Sequence, residues 1–271
     1  MDARLSTRIA ACIWLRDRPG YIPVTRQGRL MAGVAFFDID KTLWPRVGEK
    51  ALALHLIANG GLALHQFAKI IGVQMRHDLH LIDTLDTAKR KILSDLFAGR
   101  AVAPSIDVCA TLFESDWSRS FFPDMLAQVD RHRRAGDKIV VVSATIDVIA
   151  RQVAAFLKAD ACYATVLEMR QGLYSGEVLG PIPFGPAKAG IVMDYARSQG
   201  IELDRCYAYG DHWEDRHMLK IVGHPVAINP DKKLLRHARR HNWETRILTP
   251  PRFSRLRRTG RSILNQTGRS A

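Results

Sequence analysis

The sequence predicts an α/β fold: a doubly wound, Rossmann-like parallel sheet with a helical cap inserted after its first strand. Three observations predict it. Short apolar runs rich in strand formers alternate with segments of helical periodicity, the pattern of βαβ units. The runs show little polar alternation, which suits strands covered by helices on both faces. Each run also stops at a polar cluster, as expected where strand ends open onto one crevice.

The elements follow in chain order. Residues 33–37 (GVAFF) form the first strand, which ends at Asp38-Ile39-Asp40. Residues 47–117 break the rhythm. Apolar residues recur there at helical spacing (Leu52, Leu56, Phe67, Ile70, Leu93, Leu96), Gly60-Gly61 interrupts them, and no strand pattern appears. This is the expected helical cap, and it leaves 31–46 and 118–248 as the catalytic core. Helical patterns at 124–135, 146–158, 186–199 and 231–241 then alternate with strands at 138–142, 205–209 and 225–228. The strand KIVVV ends at Ser143-Ala144-Thr145, and 205–209 ends at Gly210-Asp211. Segment 167–180, with Gln171-Gly172 and Ser175-Gly176, reads as a small hairpin or loop. Asp231 stands at the N-cap of the last helix.

The 271 residues carry a formal net charge of +13, unevenly placed. Residues 232–271 hold +11 and residues 1–30 hold +4, so the middle of the chain is at −2. A groove-binding nucleic-acid enzyme carries its charge across the folded domain, and this chain does not. Its basic ends fit attraction to anionic lipid headgroups, nucleic acid or an acidic partner; the bland alternative is a solvated tail of no specific role. No apolar run approaches the roughly 20 residues that span a bilayer. The expected location is therefore the cytoplasm, with the basic tail 249–271 in peripheral contact with the inner face of an anionic membrane. Residues 9–15 (IAACIWL) imitate a short signal peptide, but Arg16-Asp17-Arg18-Pro19 follows at once without a small-x-small cleavage site. Residues 1–30 read as a non-catalytic extension, with Met31 an alternative start. Four scattered cysteines without a C-x-x-C pair fit reduced thiols.

Four pieces carry the chemistry: DIDKT (38–42), SAT (143–145), Lys188 in GPAKAG, and GDHWED (210–215). Hydrolysis of a phosphate ester needs a nucleophile, cations against the equatorial oxygens, and a proton for the leaving oxygen. Asp38 and Asp40, two positions apart at a strand end, divide attack and proton transfer between them. Asp211 and Asp215 are hard oxygen ligands of the sparse kind that suits Mg²⁺. Ser143 and the backbone N–H groups beside it, including that of Ala144, can hydrogen-bond phosphate oxygens, and Lys188 adds a fixed positive charge. His212 and His217, five apart, do not stack on one helix face, and a surface role is expected rather than a zinc site. Arg76, Lys89 and Arg90 are candidate substrate anchors in the cap.

These motifs in this order resemble the haloacid dehalogenase-like superfamily, in its phosphoserine-phosphatase-like branch with a helical cap. The resemblance covers roughly residues 33–248 and rests on FFDIDKTLW, KIVVVSAT, Lys188 and YAYGDHWEDRHML. It implies a Mg²⁺-dependent phosphatase that works through an aspartyl-phosphate. Asp38 is then nucleophile and metal ligand, and Asp40 is the general acid/base, with its backbone carbonyl on the metal. Thr42 steadies the loop at the substrate site, Ser143 and Lys188 bind phosphate, and Asp211 ligates Mg²⁺ with support from Asp215. Two positions depart from the pattern. Lys41 stands where Gly, Ser or Asn is usual, and Glu214 where many relatives carry Asn, which weakens an assignment to phosphoserine. The expected substrate is a small organic or lipid-headgroup phosphate such as phosphatidylglycerophosphate. Phosphoserine is the alternative, and a non-catalytic scaffold that binds membrane or nucleic acid through its tail is the alternative of another class.

Overall fold

The computed structural model describes residues 33–58 and 85–251. The expected extension at 1–30, residues 59–84 of the expected cap (Arg76 among them) and the tail residues 252–271 lie outside the described residues. Strand β1 is Val34–Phe37, followed by helices α1 (Gly48–Ala58), α2 (Leu85–Phe97) and α3 (Val102–Ser115). Then come α4 (Pro123–Ala135), β2 (Lys138–Ile146), α5 (Asp147–Phe156), β3 (Ala161–Arg170), β4 (Leu173–Leu179) and α6 (Pro186–Gln199). The chain closes with β5 (Cys206–Gly210), α7 (Arg216–Leu219), β6 (His224–Ile228), α8 (Lys232–Arg240) and β7 (Glu244–Arg246). Among the described residues no helix is long and apolar enough to cross a membrane.

The strands form one seven-stranded sheet in the order β4-β3-β2-β1-β5-β6-β7, parallel except where β4 turns back on β3. Side chains alternate across it. Phe37, Ile139, Val141 and Tyr209 face one layer with Met125 and Val129 of α4; Phe36, Val140 and Ala208 face the other with Val192 of α6, Met218 of α7 and Leu234 of α8. Every residue of β1 is fully buried, which is why its sequence is an unbroken apolar run. With β2 on one side and β5 on the other, β1 sits where the winding reverses, and polar groups just past the central strands meet there.

Sequence and structure differ in detail. β2 does not stop at Val142 but runs through Ser143-Ala144-Thr145 to Ile146, with a register shift against β3 between Val142 and Ile146. The hairpin expected in 167–180 is present, but its first arm begins at Ala161 and pairs with β2 before β4 pairs with it. Asp231 caps α8 as expected, accepting bonds from Lys233 N and Leu234 N at 2.8 Å each.

A buried polar network ties α4 to the underside of the site. His132 Nδ1 lies 2.7 Å from Asp137 Oδ2, its Nε2 lies 2.7 Å from the Tyr209 hydroxyl, and Gln128 Nε2 donates to that hydroxyl at 2.8 Å. The Tyr209 ring stacks on Phe37, with centroids 4.6 Å apart. Burial lowers the His132 pKa, outweighing the pull of Asp137. A histidine kept neutral by the fold protonates more readily once unfolded, so its contribution is present above pH 6.5 and lost as pH falls toward its folded value. His132 should therefore contribute a loss of stability as pH falls from 7.5 to 5.5, with a slope of at most about 1.4 kcal/mol per pH unit in the urea titration. His132→Gln should remove that part of the slope; an unchanged slope would contradict it.

Candidate active site

Asp38 follows β1 directly, and its N–H donates to Tyr209 O at 3.0 Å, continuing the sheet's hydrogen bonding one residue past the strand. Asp211 follows β5 directly, but its N–H turns to the Asp215 carboxylate. Lys188 enters from the first turn of α6, whose N-cap Gly185 has φ +53°. That left-handed backbone angle is what favours glycine here. Asp215 comes from the short 3₁₀ turn before α7, and it reaches back under β5. A Cβ on Gly210 would lie 2.6 Å from that of Asp215, so only glycine lets the two segments close.

The carboxylates of Asp38, Asp211 and Asp215 converge, with one oxygen of each within 4.8 Å of the others. Lys188 Nζ donates to Asp38 Oδ1 at 2.7 Å and to Asp215 Oδ1 at 2.6 Å. Asp215 Oδ2 accepts the N–H groups of Asp211 and His212, each at 3.0 Å. All four side chains are buried. Burial pushes Asp38 up to about 7 against the pull of Lys188, with Asp215 and Asp40 adding to the rise. Asp211 is raised well above the usual carboxylate range by burial, then by Asp215 and Asp38. Burial would also raise Asp215, but Lys188 and the amide donors hold it below that range. Lys188 resists the lowering effect of burial because Asp215 and Asp38 flank it, and its pKa lies above the usual lysine value. The pocket thus gathers three carboxylates around one ammonium, which leaves negative charge for a further cation to offset.

The other expected residues are placed around this centre. Asp40 lines the same cavity, but its carboxylate is held by Trp44 Nε1 (3.0 Å) and Gly48 N (2.9 Å) on Oδ1 and by Thr145 Oγ1 (2.9 Å) on Oδ2. Ser143 and Ala144 also line the cavity, and the Ser143 hydroxyl donates to Thr145 Oγ1 at 3.2 Å. Thr42 is fully buried and is not part of the cavity wall. Lys89 lines the cavity, while Arg90 turns to Asp86 (2.6 Å) and the carbonyls of Val178 and Gly180 near the end of β4. His212 Nδ1 caps the turn by accepting Glu214 N at 3.3 Å, and His217 Nε2 lies 3.8 Å from Glu214.

Lys41 has φ +59°, a left-handed backbone that costs an ordinary residue about 1–2 kcal/mol. This explains why Gly or Asn suits the position, and it means the lysine is kept against strain. Its side chain lines the cavity, and its charge pulls against the rise of Asp211. Two residues that the sequence does not single out join the site. Thr145 lies two positions from Ser143 along β2, which puts both on one face. Glu49 pairs with Lys89 at 2.8 Å and accepts Ile146 N at 3.2 Å, joining α1, α2 and the end of β2.

A family model described as haloacid dehalogenase-like hydrolase matches residues 35–220. A curated relative, "Phosphoserine phosphatase SerB1" of Mycobacterium tuberculosis, is 29% identical over 230 residues, covering 80% of this chain and 71% of its own. Among solved structures, a protein of unknown function from Bordetella pertussis Tohama I superposes with TM-score 0.71 at 24% identity, over 80% of this chain and 98% of that one. A phospho-aspartyl intermediate analogue of phosphoserine phosphatase superposes with TM-score 0.60 at 19% identity, over 78% of this chain and 98% of that one. At these identities the two superpositions show the shared fold.

Proposed function

We propose that this chain, which belongs to the haloacid dehalogenase-like hydrolases and is a phosphatase of that family, uses Asp38 as its nucleophile and Mg²⁺ as its cofactor. The observation that carries the reading is the Lys188 ammonium shared by Asp38 and Asp215, beside Asp211 on the floor of one cavity. The donor set fits the metal: clustered hard carboxylate oxygens whose negative charge exceeds what Lys188 neutralises. Asp38 and Asp211 would hold the ion, with Asp215 supporting and the Asp40 carbonyl as a further oxygen. When bound, it would neutralise charge on the phosphate oxygens and on the carboxylates.

The chain's own groups then divide the work. The Asp38 carboxylate attacks phosphorus, forming an acyl phosphate as the bond to the leaving oxygen breaks. Asp40 gives that oxygen a proton, and its three donors fix where the proton is delivered. Lys188 holds its charge against the equatorial oxygens, and Ser143 and the Ala144 backbone bind the phosphate. Water next attacks the acyl phosphate, Asp40 takes up its proton, and inorganic phosphate leaves with Asp38 restored.

The substrate is a small organic phosphate. A lipid-headgroup phosphate such as phosphatidylglycerophosphate is the variant that the charge of 249–271 supports, and phosphoserine is the alternative that the name of the curated relative supports. Hydrolysis of p-nitrophenyl phosphate is expected to stop in EDTA and return with Mg²⁺. Mg²⁺ at 100 times its Kd should stabilise the protein by about 2.7 kcal/mol in a thermal melt. Turnover persisting in EDTA, with a melt indifferent to Mg²⁺, would refute the metal. No turnover of any phosphate ester in either condition would favour the scaffold alternative.

A further inference from the structure

The cavity has a volume of about 400 Å³, and among the described residues most of its charged groups lie outside helices α1, α2 and α3. Asp38 and Lys188 mark the reacting end. Beyond them the wall is formed by Leu52, Leu56, Ile92, Leu96, Phe97 and Val108 of the three helices α1, α2 and α3. Among the described residues, the charged groups on that side are already engaged with the protein itself. Lys89 and Glu49 close on each other at 2.8 Å, Lys89 Nζ donates to Ala144 O at 2.6 Å, and Arg100 Nε donates to Leu96 O. A zwitterionic amino-acid ester would have to shed water from an ammonium and a carboxylate there and reopen that pair. An alkyl group gains by entering, because the apolar side chains of the described wall replace its contact with water.

Resting on the phosphatase reading above, we infer that the site takes the phosphate monoester of an aliphatic alcohol, with the phosphate at Lys188 and the alkyl arm in the chamber between α1, α2 and α3. The apolar wall is continuous with the reacting end, so the occupant of the chamber is the leaving group itself. Specificity then lies in Leu56, Ile92 and Leu96, which line the cavity and are half-buried.

The test is the chain-length dependence of kcat/KM for ethyl, butyl, hexyl and octyl phosphate, with phosphoserine alongside. Each added methylene should raise kcat/KM by about fourfold until the chamber is filled. Hexyl phosphate should thus exceed ethyl phosphate by about two orders of magnitude, and phosphoserine should fall below butyl phosphate. Ile92→Gln and Leu96→Gln should flatten the dependence. The wild-type slope stands as evidence whether or not those variants fold. Turnover of ethyl phosphate and phosphoserine with no gain along the series would overturn this inference and leave the phosphatase reading intact. Failure to hydrolyse any of the esters would instead count against the phosphatase reading and this inference together.

Discussion

Asp38→Asn is expected to lower kcat/KM by at least about 10⁴-fold, as loss of a covalent nucleophile does, while leaving the unfolding temperature the same or higher. The two halves of this result have different causes. Asparagine is nearly the shape of aspartate but cannot form the acyl phosphate. The stability half follows from burial. Asp38 is pushed up to about 7 inside the fold, so the folded metal-free protein disfavours its charge. For a carboxyl raised in the fold, the stabilising contribution is present below the unfolded value and lost as pH rises through the folded one. At pH 8 the wild type carries that penalty and the variant does not. Lys188 keeps a partner in either case, because Asp215 remains at 2.6 Å. Melts of both proteins in EDTA at pH 8, beside steady-state kinetics with Mg²⁺, check both halves. A variant that is inactive because it is unfolded would not match this expectation.

Lys188→Met should do the opposite to stability. Methionine replaces the stem but removes the charge that Asp38 and Asp215 share, and it leaves three buried carboxylates without that cation. Breaking a buried pair on one side costs about 3–5 kcal/mol. For a protein of this size that corresponds to roughly 10 °C in melting temperature. The deficit should shrink from pH 8 to pH 6, because the carboxyl of Asp38, pushed up to about 7, takes up a proton as pH falls. Added Mg²⁺ should recover part of it. Activity should fall by about 10²–10³-fold, the scale of losing one preorganised donor to a developing charge. Melts across this pH range with and without Mg²⁺ are the measurement; a loss of stability that neither pH nor Mg²⁺ moves would contradict the account.

The central strands were legible because burial on both faces leaves a plain signal. GVAFF, KIVVV and the run before Gly210 are unbroken apolar stretches, and the residues that follow them are polar for a reason of chemistry. The arms nearer the sheet edges were not legible in the same way. β3 is half-buried and mixes Tyr163 and Glu168 with Val166 and Leu167, while β7 is three residues of Glu, Thr and Arg whose only strand character is its partner β6. Within the site, Asp38, Lys188, Asp211 and Asp215 could be named because their spacing along the chain is fixed by strand ends and a helix start. Thr145 and Glu49 act on other side chains, and such contacts leave no periodic trace. The apolar chamber escaped as well: Leu52, Leu56 and Leu96 sit at helical spacing, and the same pattern describes a packed core and a cavity wall.

The central claim is a phosphoryl group carried by Asp38, and the direct measurement is a rapid acid quench during turnover followed by peptide mapping. A transient phosphorylated peptide containing Asp38 is expected, absent from Asp38→Asn and gone once substrate is consumed. Phosphate released without any labelled peptide, or a label on another residue, would contradict it.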